Sequence, residues 1–267
     1  MAQANGTASV NGGLWGAHAR AWADHQEATA RPLYVDALER AGVGHGSVYL
    51  DVGCGAGLAL SLAAARGATV SGLDAAEAMA AIARARVGAG DVRTGELEEL
   101  PFADGTFDVV TGFNSFQYAA RPARALAEAR RVAKTGGRVV IATWSPPDRT
   151  EAAALLACLK PLLPPPPPGA GGPFALSDEA ALRALAAEAG LAPGEVRDVD
   201  CPFAYPDLET ALVALNSSGV AERAIRHSGL EAVTAAHRAV LERFRRPDGS
   251  VHVGNAFRYL LATVPTA

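Results

Sequence analysis

The sequence predicts an α/β fold with a mostly parallel sheet covered by helices on both faces. Three observations predict it. Short apolar runs alternate with helical stretches between residues 47 and 144. The first run ends in a glycine cluster, LDVGCGAG at 50–57, the pattern of a buried strand turning into a helix. The strand–helix order then repeats, and such repetition places parallel strands side by side with helices packed over them.

The elements are read in order. Residues 1–13 are small and polar, and a disordered tail is expected there. From 14 to about 40 the pattern is helical. Trp15, His18, Trp22 and His25 recur at spacings of three, four and three, which share one face of a regular helix. Pro32 interrupts this stretch and starts a second helix. A strand is predicted at 47–52 (SVYLDV), a helix at 56–66 stopped by Gly67, and a strand at 69–73 ending at Asp74. A helix at 77–86, a short strand at 92–94, a strand at 107–112 and a helix at 122–133 follow. Gly136 and Gly137 turn the chain into a strand at 138–144.

The regularity then breaks. SPPDRT is a loop, and 151–163 looks helical. The proline run at 164–173 suits neither helix nor central strand. A rigid surface connection is favoured there over an SH3 ligand. A helix is expected at 178–189, with Ser177 as its N-cap and Gly190 past its end. Residues 196–205 read as a strand. Residues 207–246 hold two or three helices, separated at 216–219 and at Gly229. A last strand at 251–264 is entered through the turn Pro247-Asp248-Gly249.

Composition excludes several classes. The 267 residues suit one large domain, and 49% hydrophobic residues suffice for a sizeable core. There are 59 alanines, which favour helix, and 22 arginines against two lysines. A net charge of -4 argues against a general nucleic-acid binder. Cys54, Cys158 and Cys201 stand far apart, without metal-ligand spacing, so neither a disulfide scaffold nor a metal site is expected. The N-terminus lacks a secretory pattern, and no apolar run is long enough to span a membrane. A soluble cytoplasmic protein is the expectation. The oligomeric state is not legible.

The glycine spacing narrows the ligand. A dinucleotide fingerprint needs its third glycine at position 58, which is Leu58. The observed G-x-G-x-G disfavours a nicotinamide enzyme, and no P-loop is present. Asp74 ends the next strand, where a carboxylate can accept both hydroxyls of a ribose.

Four motifs in order then resemble a class I S-adenosylmethionine-dependent methyltransferase. The likeness is to the group that includes ubiquinone/menaquinone-type and other small-molecule methyltransferases. The motifs are LDVGCGAG (50–57), GLDAAEAM (72–79), GELEELPF (95–102) with DGTFDVV (104–110), and RRVAKTGGRVVIATW (130–144). Together they cover about residues 47–145. The resemblance implies a Rossmann-like fold: a mostly parallel seven-stranded sheet, helices on both faces and a helical lid. It implies three parts: the tail 1–13, an N-terminal helical lid segment 14–44, and a cofactor-binding domain 45–267 with a helical insertion at about 207–246.

It also implies roles. Gly53, Gly55 and Gly57 let the backbone pass beside the methionine moiety. Asp51 supports that loop and reaches the amino group, directly or through water. Asp74 binds the ribose, and Ala75 and Met79 flank the adenine. Glu96 stands where the family usually has Asp and accepts from the adenine amino group. Leu97 packs on the adenine. Asn114 offers its carbonyl to the methionine amino group. Beside these stand plainer readings: Asp74 as a helix N-cap, Met79 as core, Cys54 as a small filler.

The acceptor site implied lies near the methyl group. Its walls are the N-terminal helix with Trp15 and Trp22, the segment 113–118 with Gln117 and Tyr118, Trp144, and the helices of 207–246. His18 or His25 is a candidate general base; the same stripe could instead pack on the domain. His227 and His252 are weaker candidates. Methyl transfer from a sulfonium needs alignment and water exclusion more than a catalytic triad. The expected cofactor is S-adenosylmethionine, with S-adenosylhomocysteine as product and a small-molecule acceptor. Two alternatives stand. One is a nucleic-acid methyltransferase, disfavoured because FNSFQY after the fourth strand lacks the N/D/S-P-P-Y/F motif of base-amino enzymes. The other is a non-methylating reaction, such as cyclisation, on the same fold.

Overall fold

The computed structural model describes residues 6–165 and 172–266. The tail reading at 1–5 and the middle of the proline run, 166–171, lie outside the described residues.

The chain opens with α1 (Ala8–Gly16) and α2 (Ala19–Ala21). A π-helical turn, Trp22–Gln26, and a 3-10 turn, Glu27–Ala30, lead into α3 (Arg31–Arg40). Pro32 sits in the first turn of α3, where an amide N–H would have no partner in the helix. Residues 8–13 are helical, so the expected disorder fails there. Long-range contacts hold them. Thr7 Oγ1 and Asn11 Nδ2 both donate to the Tyr118 carbonyl, at 2.9 and 3.2 Å. The Ala8 N–H donates to Glu96 at 2.8 Å.

Next come β1 (Val48–Val52), α4 (Leu58–Ala64), β2 (Thr69–Asp74), α5 (Glu77–Val87) and β3 (Asp91–Thr94). They are followed by β4 (Phe107–Phe113), α6 (Pro122–Val132), β5 (Ala133–Trp144), α7 (Ala153–Ala157) and α8 (Glu179–Glu188). The chain ends with β6 (Ala192–Asp200), β7 (Phe203–Tyr205), α9 (Leu208–Asn216), α10 (Gly219–Ser228), α11 (Leu230–Leu241), β8 (Val251–Val253) and β9 (Ala256–Thr263).

Seven strands form one sheet in the order β3-β2-β1-β4-β5-β9-β6. All pairs are parallel except those of β9, which runs antiparallel to β5 and β6. Alternate residues feed the two faces. Tyr49 and Val140 join Leu33, Leu60 and Ala83 on one side. Leu50 and Val139 join Leu126, Leu182 and Leu260 on the other. Burial on both faces explains why these strands read as unbroken apolar runs.

Three local readings need correction. β5 starts at Ala133, and the glycine pair lies within it. Gly136 has φ +74°, and the register with β4 jumps between Phe107–Ala133 and Val109–Arg138. The glycines therefore accommodate an irregularity in the ladder. The N-cap of α8 is Asp178, not Ser177: Asp178 Oδ1 accepts the Ala181 N–H at 2.8 Å. A carboxylate also complements the positive end of the helix dipole.

The strands expected at 196–205 and 251–264 each break in two. β6 and β9 stay in the main sheet, while β7 and β8 pair with each other outside it. The break is pinned where the two segments cross. The Cys201 N–H donates to the Asn255 carbonyl at 2.8 Å, and Asn255 Nδ2 donates back to the Cys201 carbonyl at 3.2 Å. Helices α9–α11 span the connection between β7 and β8, so they hang from this hairpin. No helix among the described residues is long and apolar enough to cross a membrane.

Candidate functional site

A continuous cavity opens at the carboxyl ends of β1, β2 and β4. Strand order reverses between β1 and β4, the place where open α/β sheets bind ligands. The glycine loop forms its floor. The N–H groups of Gly53 and Cys54 both donate to the Leu73 carbonyl, at 2.7 and 3.0 Å, folding the loop across the end of β2. Gly53, Gly55 and Gly57 all have positive φ, a conformation open to glycine at little cost.

The three glycines have different neighbours. A Cβ on Gly53 would lie 2.4 Å from that of Ser115, so the close approach there is to the chain itself. At Gly55 no atom stands nearer than 3.8 Å, and this residue borders the cavity. Gly57 does not border it. A Cβ there would meet Ala83 at 2.8 Å, so Gly57 lets α4 approach α5. That corrects the expectation of three ligand-facing glycines.

Asp74 closes the loop from the other side. Its Oδ2 accepts the Gly55 N–H and its Oδ1 the Ala76 N–H, both at 2.8 Å. Each oxygen keeps a second lone-pair direction. Burial raises its carboxyl above the ordinary range, against those two backbone bonds. Asp51 is buried beneath the loop. Its Oδ1 accepts from Thr111 Oγ1 at 2.7 Å, and the Tyr49 phenol lies 2.6 Å from the same Thr111 oxygen. Burial first, then the charges of Asp74 and Glu27, push Asp51 up to about 7.

Of the other residues expected at the cofactor, Ala75, Met79, Leu97 and Asn114 border the cavity. Asn114 has φ +52°, rare for a non-glycine residue. Ser115 Oγ, beside it, is buried with no hydrogen-bond partner among the described residues. Glu96 does not border the cavity. Its carboxylate instead holds the start of α1 through the Ala8 N–H. Glu96→Ala is therefore expected to loosen α1. The bond should be worth about 1 kcal/mol, or roughly fivefold faster amide exchange over residues 8–16. Unchanged exchange in a hydrogen-exchange measurement would refute that role.

On the acceptor side, Trp15, Trp22, Tyr118 and Trp144 border the cavity and Gln117 does not. Trp15 and Trp22 meet edge to face at 5.0 Å and pack with Met79. Neither proposed histidine base borders it. His18 Nε2 lies 3.1 Å from Glu222 on α10, with the side chain 44% exposed, and His25 is exposed. The 3-4-3 spacing assumed a regular helix. Backbone φ and ψ at His18 are -128° and 33°, and a π-helical turn follows at Trp22, so the phase is lost.

That same turn brings in residues the spacing gave no signal for. Glu27, 4% exposed, borders the cavity; its Oε1 accepts the N–H of Leu58, the first residue of α4, at 3.2 Å. Arg86 donates to its other oxygen and to the Ala56 carbonyl. Burial still raises the Glu27 carboxyl above its usual range. Tyr34, packed on Phe113 at 4.7 Å, also borders the cavity, as does His237 from α11.

The cavity thus has two characters. Near the glycine loop it presents Asp51, Asp74 and Glu27, of which Glu27 is paired with Arg86 behind the lining. This surplus of carboxylates suits a cationic ligand and repels a phosphate. Farther on, Trp144, Phe203, Phe257 and leucines of α7 and α9 make apolar walls.

Residues 50–141 match the methyltransferase-domain family. Ubiquinone biosynthesis O-methyltransferase of Pseudomonas paraeruginosa is 40% identical over 121 residues, which is 42% of this chain and 50% of that enzyme. Malonyl-(acyl-carrier protein) O-methyltransferase of Erwinia pyrifoliae is 35% identical over 52% of this chain and 53% of its own length. The chain therefore spans about half the length of these curated relatives. The solved (4+2)-cyclase SpnF shares 21% identity and a TM-score of 0.57, covering 88% of this chain and 81% of that one. At that identity the likeness concerns the fold alone.

Proposed function

We propose that the chain is a class I S-adenosylmethionine-dependent methyltransferase that methylates a small-molecule acceptor, a reading supported by the methyltransferase-domain match over residues 50–141. The observation that carries the reading is the two-sided cavity: carboxylates and a glycine loop at one end, apolar walls at the other. When bound, S-adenosylmethionine supplies a methyl group on a positively charged sulfur that is ready to leave.

The chain's residues do the rest. Asp74 accepts the ribose hydroxyls on the lone pairs its backbone bonds leave free. Asp51 and Asn114 hold the methionine amino group, and Gly53 and Gly55 give the loop its left-handed backbone beside it. Ala75, Met79 and Leu97 flank the adenine. Glu96 closes the α1 strap over that end instead of reading the adenine amino group. Glu27, fixed by Arg86, adds negative charge opposite the cationic centre. Trp15, Trp22 and Tyr118 exclude water, and α9–α11 act as the lid over an acceptor. The three parts are thus a strap at 14–44, extended back to Ala8 by α1, a cofactor domain from 45, and a lid within 207–246.

The test incubates the protein with methyl-labelled S-adenosylmethionine and a small-molecule extract. Label is expected in a low-molecular-weight product that appears only with active protein. A new product without label would favour a cyclase-like reaction, and label confined to nucleic acid would overturn the acceptor class.

A further inference from the structure

The apolar end of the cavity holds one histidine with an unused acceptor. His237 is 2% exposed and borders the cavity from α11. Its Nδ1 lies 2.7 Å from Asn216 Oδ1, and Asn216 Nδ2 donates to Thr234 Oγ1 at 2.9 Å. With Nδ2 given to Thr234, Asn216 turns Oδ1 to the ring, an arrangement that assigns the proton to Nδ1. No described residue donates to Nε2. Burial holds the imidazole down at about 4, with the nearby Leu155 carbonyl opposing, so the ring is neutral near pH 7.

Two neighbouring polar groups, Ser218 and Gln26, are already committed. Ser218 Oγ donates to the Leu215 carbonyl at 3.0 Å and accepts the Ala221 N–H at 3.2 Å. Gln26 is bonded to the Tyr205 phenol at 2.5 Å. The surrounding walls are rings and aliphatic chains. Trp144 meets Phe257 at 5.0 Å and Phe203 at 6.2 Å, edge to face, with Leu155 and Leu159 beside them. No Asp, Glu, Lys or Arg side chain belongs to this end of the lining. A charged group entering would lose its water with no counter-charge to replace it.

We propose that the acceptor is an uncharged, ring-containing molecule with a hydroxyl group, and that His237 selects it by accepting a hydrogen bond from that hydroxyl at Nε2. This rests on the reading that the glycine-loop end holds S-adenosylmethionine. Aromatic walls favour flat rings through offset and edge-to-face contacts. The unpaired imidazole nitrogen penalises an analogue lacking the hydroxyl, because a buried acceptor is then left unsatisfied. His237 is on this account a specificity-determining residue, held in place by Asn216.

The test uses 2-naphthol and its shape-matched analogue 2-methylnaphthalene, titrated into the full chain saturated with S-adenosylhomocysteine and followed by ligand-observed NMR. Wild type is expected to bind 2-naphthol about tenfold tighter or more, the discrimination a buried hydrogen bond gives. His237→Phe should bind both compounds within about twofold of each other, and His237→Gln, which restores an acceptor, should recover part of the preference. S-adenosylhomocysteine affinity should be the same in all three. Equal binding of the two compounds by wild type, binding of neither, or an undiminished preference in His237→Phe would overturn the proposal. If the Phe variant does not fold, the Gln variant decides: a preference lost completely there counts against an acceptor role at this position. Failure of wild type to bind S-adenosylhomocysteine would instead overturn the cofactor reading beneath it.

Discussion

Asp74→Ala is expected to weaken S-adenosylmethionine binding by about 100-fold or more. Two ribose hydroxyls donating to a carboxylate are worth roughly 1.5–3 kcal/mol each, and each 1.4 kcal/mol is a factor of ten. The substitution has a second effect. It strips the acceptor from the buried N–H groups of Gly55 and Ala76, so the glycine loop loses its tie to β2. Asp74→Asn keeps one oxygen acceptor and should fall between wild type and alanine. Calorimetric titration measures the affinity, and a melting curve on the same sample shows whether the variant folds. A folded alanine variant that binds within about threefold of wild type would remove the ribose role from Asp74.

Asp51→Asn should stabilise the ligand-free protein while weakening ligand binding. The Asp51 carboxyl is held at about 7 in the fold, above the 3.8 of an unperturbed group. A raised carboxyl binds a proton more tightly folded than unfolded. Stability from this group is therefore greatest below pH 4, declines as pH rises toward 7, and stays low above it. The cost of the ionised form is on the order of 4 kcal/mol for a fully buried group. Asparagine carries no charge and can still accept from Thr111. It should raise the melting temperature by roughly 5 °C at pH 8 and change it little at pH 4.

A cationic ligand reverses the balance, because it favours ionised Asp51. Wild-type affinity for S-adenosylmethionine should rise between pH 5.5 and 7 and then level, with a proton released on binding below pH 7. Asp74 and Glu27 face the same space and carry raised carboxyls, so they contribute to the slope at its acid end. The asparagine variant should bind more weakly at pH 7.5 and show a shallower slope. A wild-type affinity that is flat across that window would refute the coupling.

Much of the fold was legible because strand–glycine–helix order is written over short stretches of chain. β1, β2 and β4 lie within a residue or two of their expected bounds, and Asp51 and Asp74 stand at the carboxyl ends of the first two. Ranges failed where long-range pairing decided them. Nothing local shows that Cys201 and Asn255 clasp each other, so the splitting of two expected strands into β6–β7 and β8–β9 was hidden. The histidine stripe failed for a different reason: a pattern of spacings presumes a helix phase, and the break at His18 with the π turn after it changes that phase.

What the sequence determined by itself is the sheet, its connections and a glycine loop flanked by Asp51 and Asp74. These follow from propensity and burial period within windows of some thirty residues. The tertiary structure decided which groups meet over that loop. Glu27 reaches α4 from the strap, Gly57 turns inward to Ala83, Glu96 holds α1, and His237 arrives from the lid. Such meetings join segments far apart in the chain, and only the packing of whole elements against one another brings their side chains together.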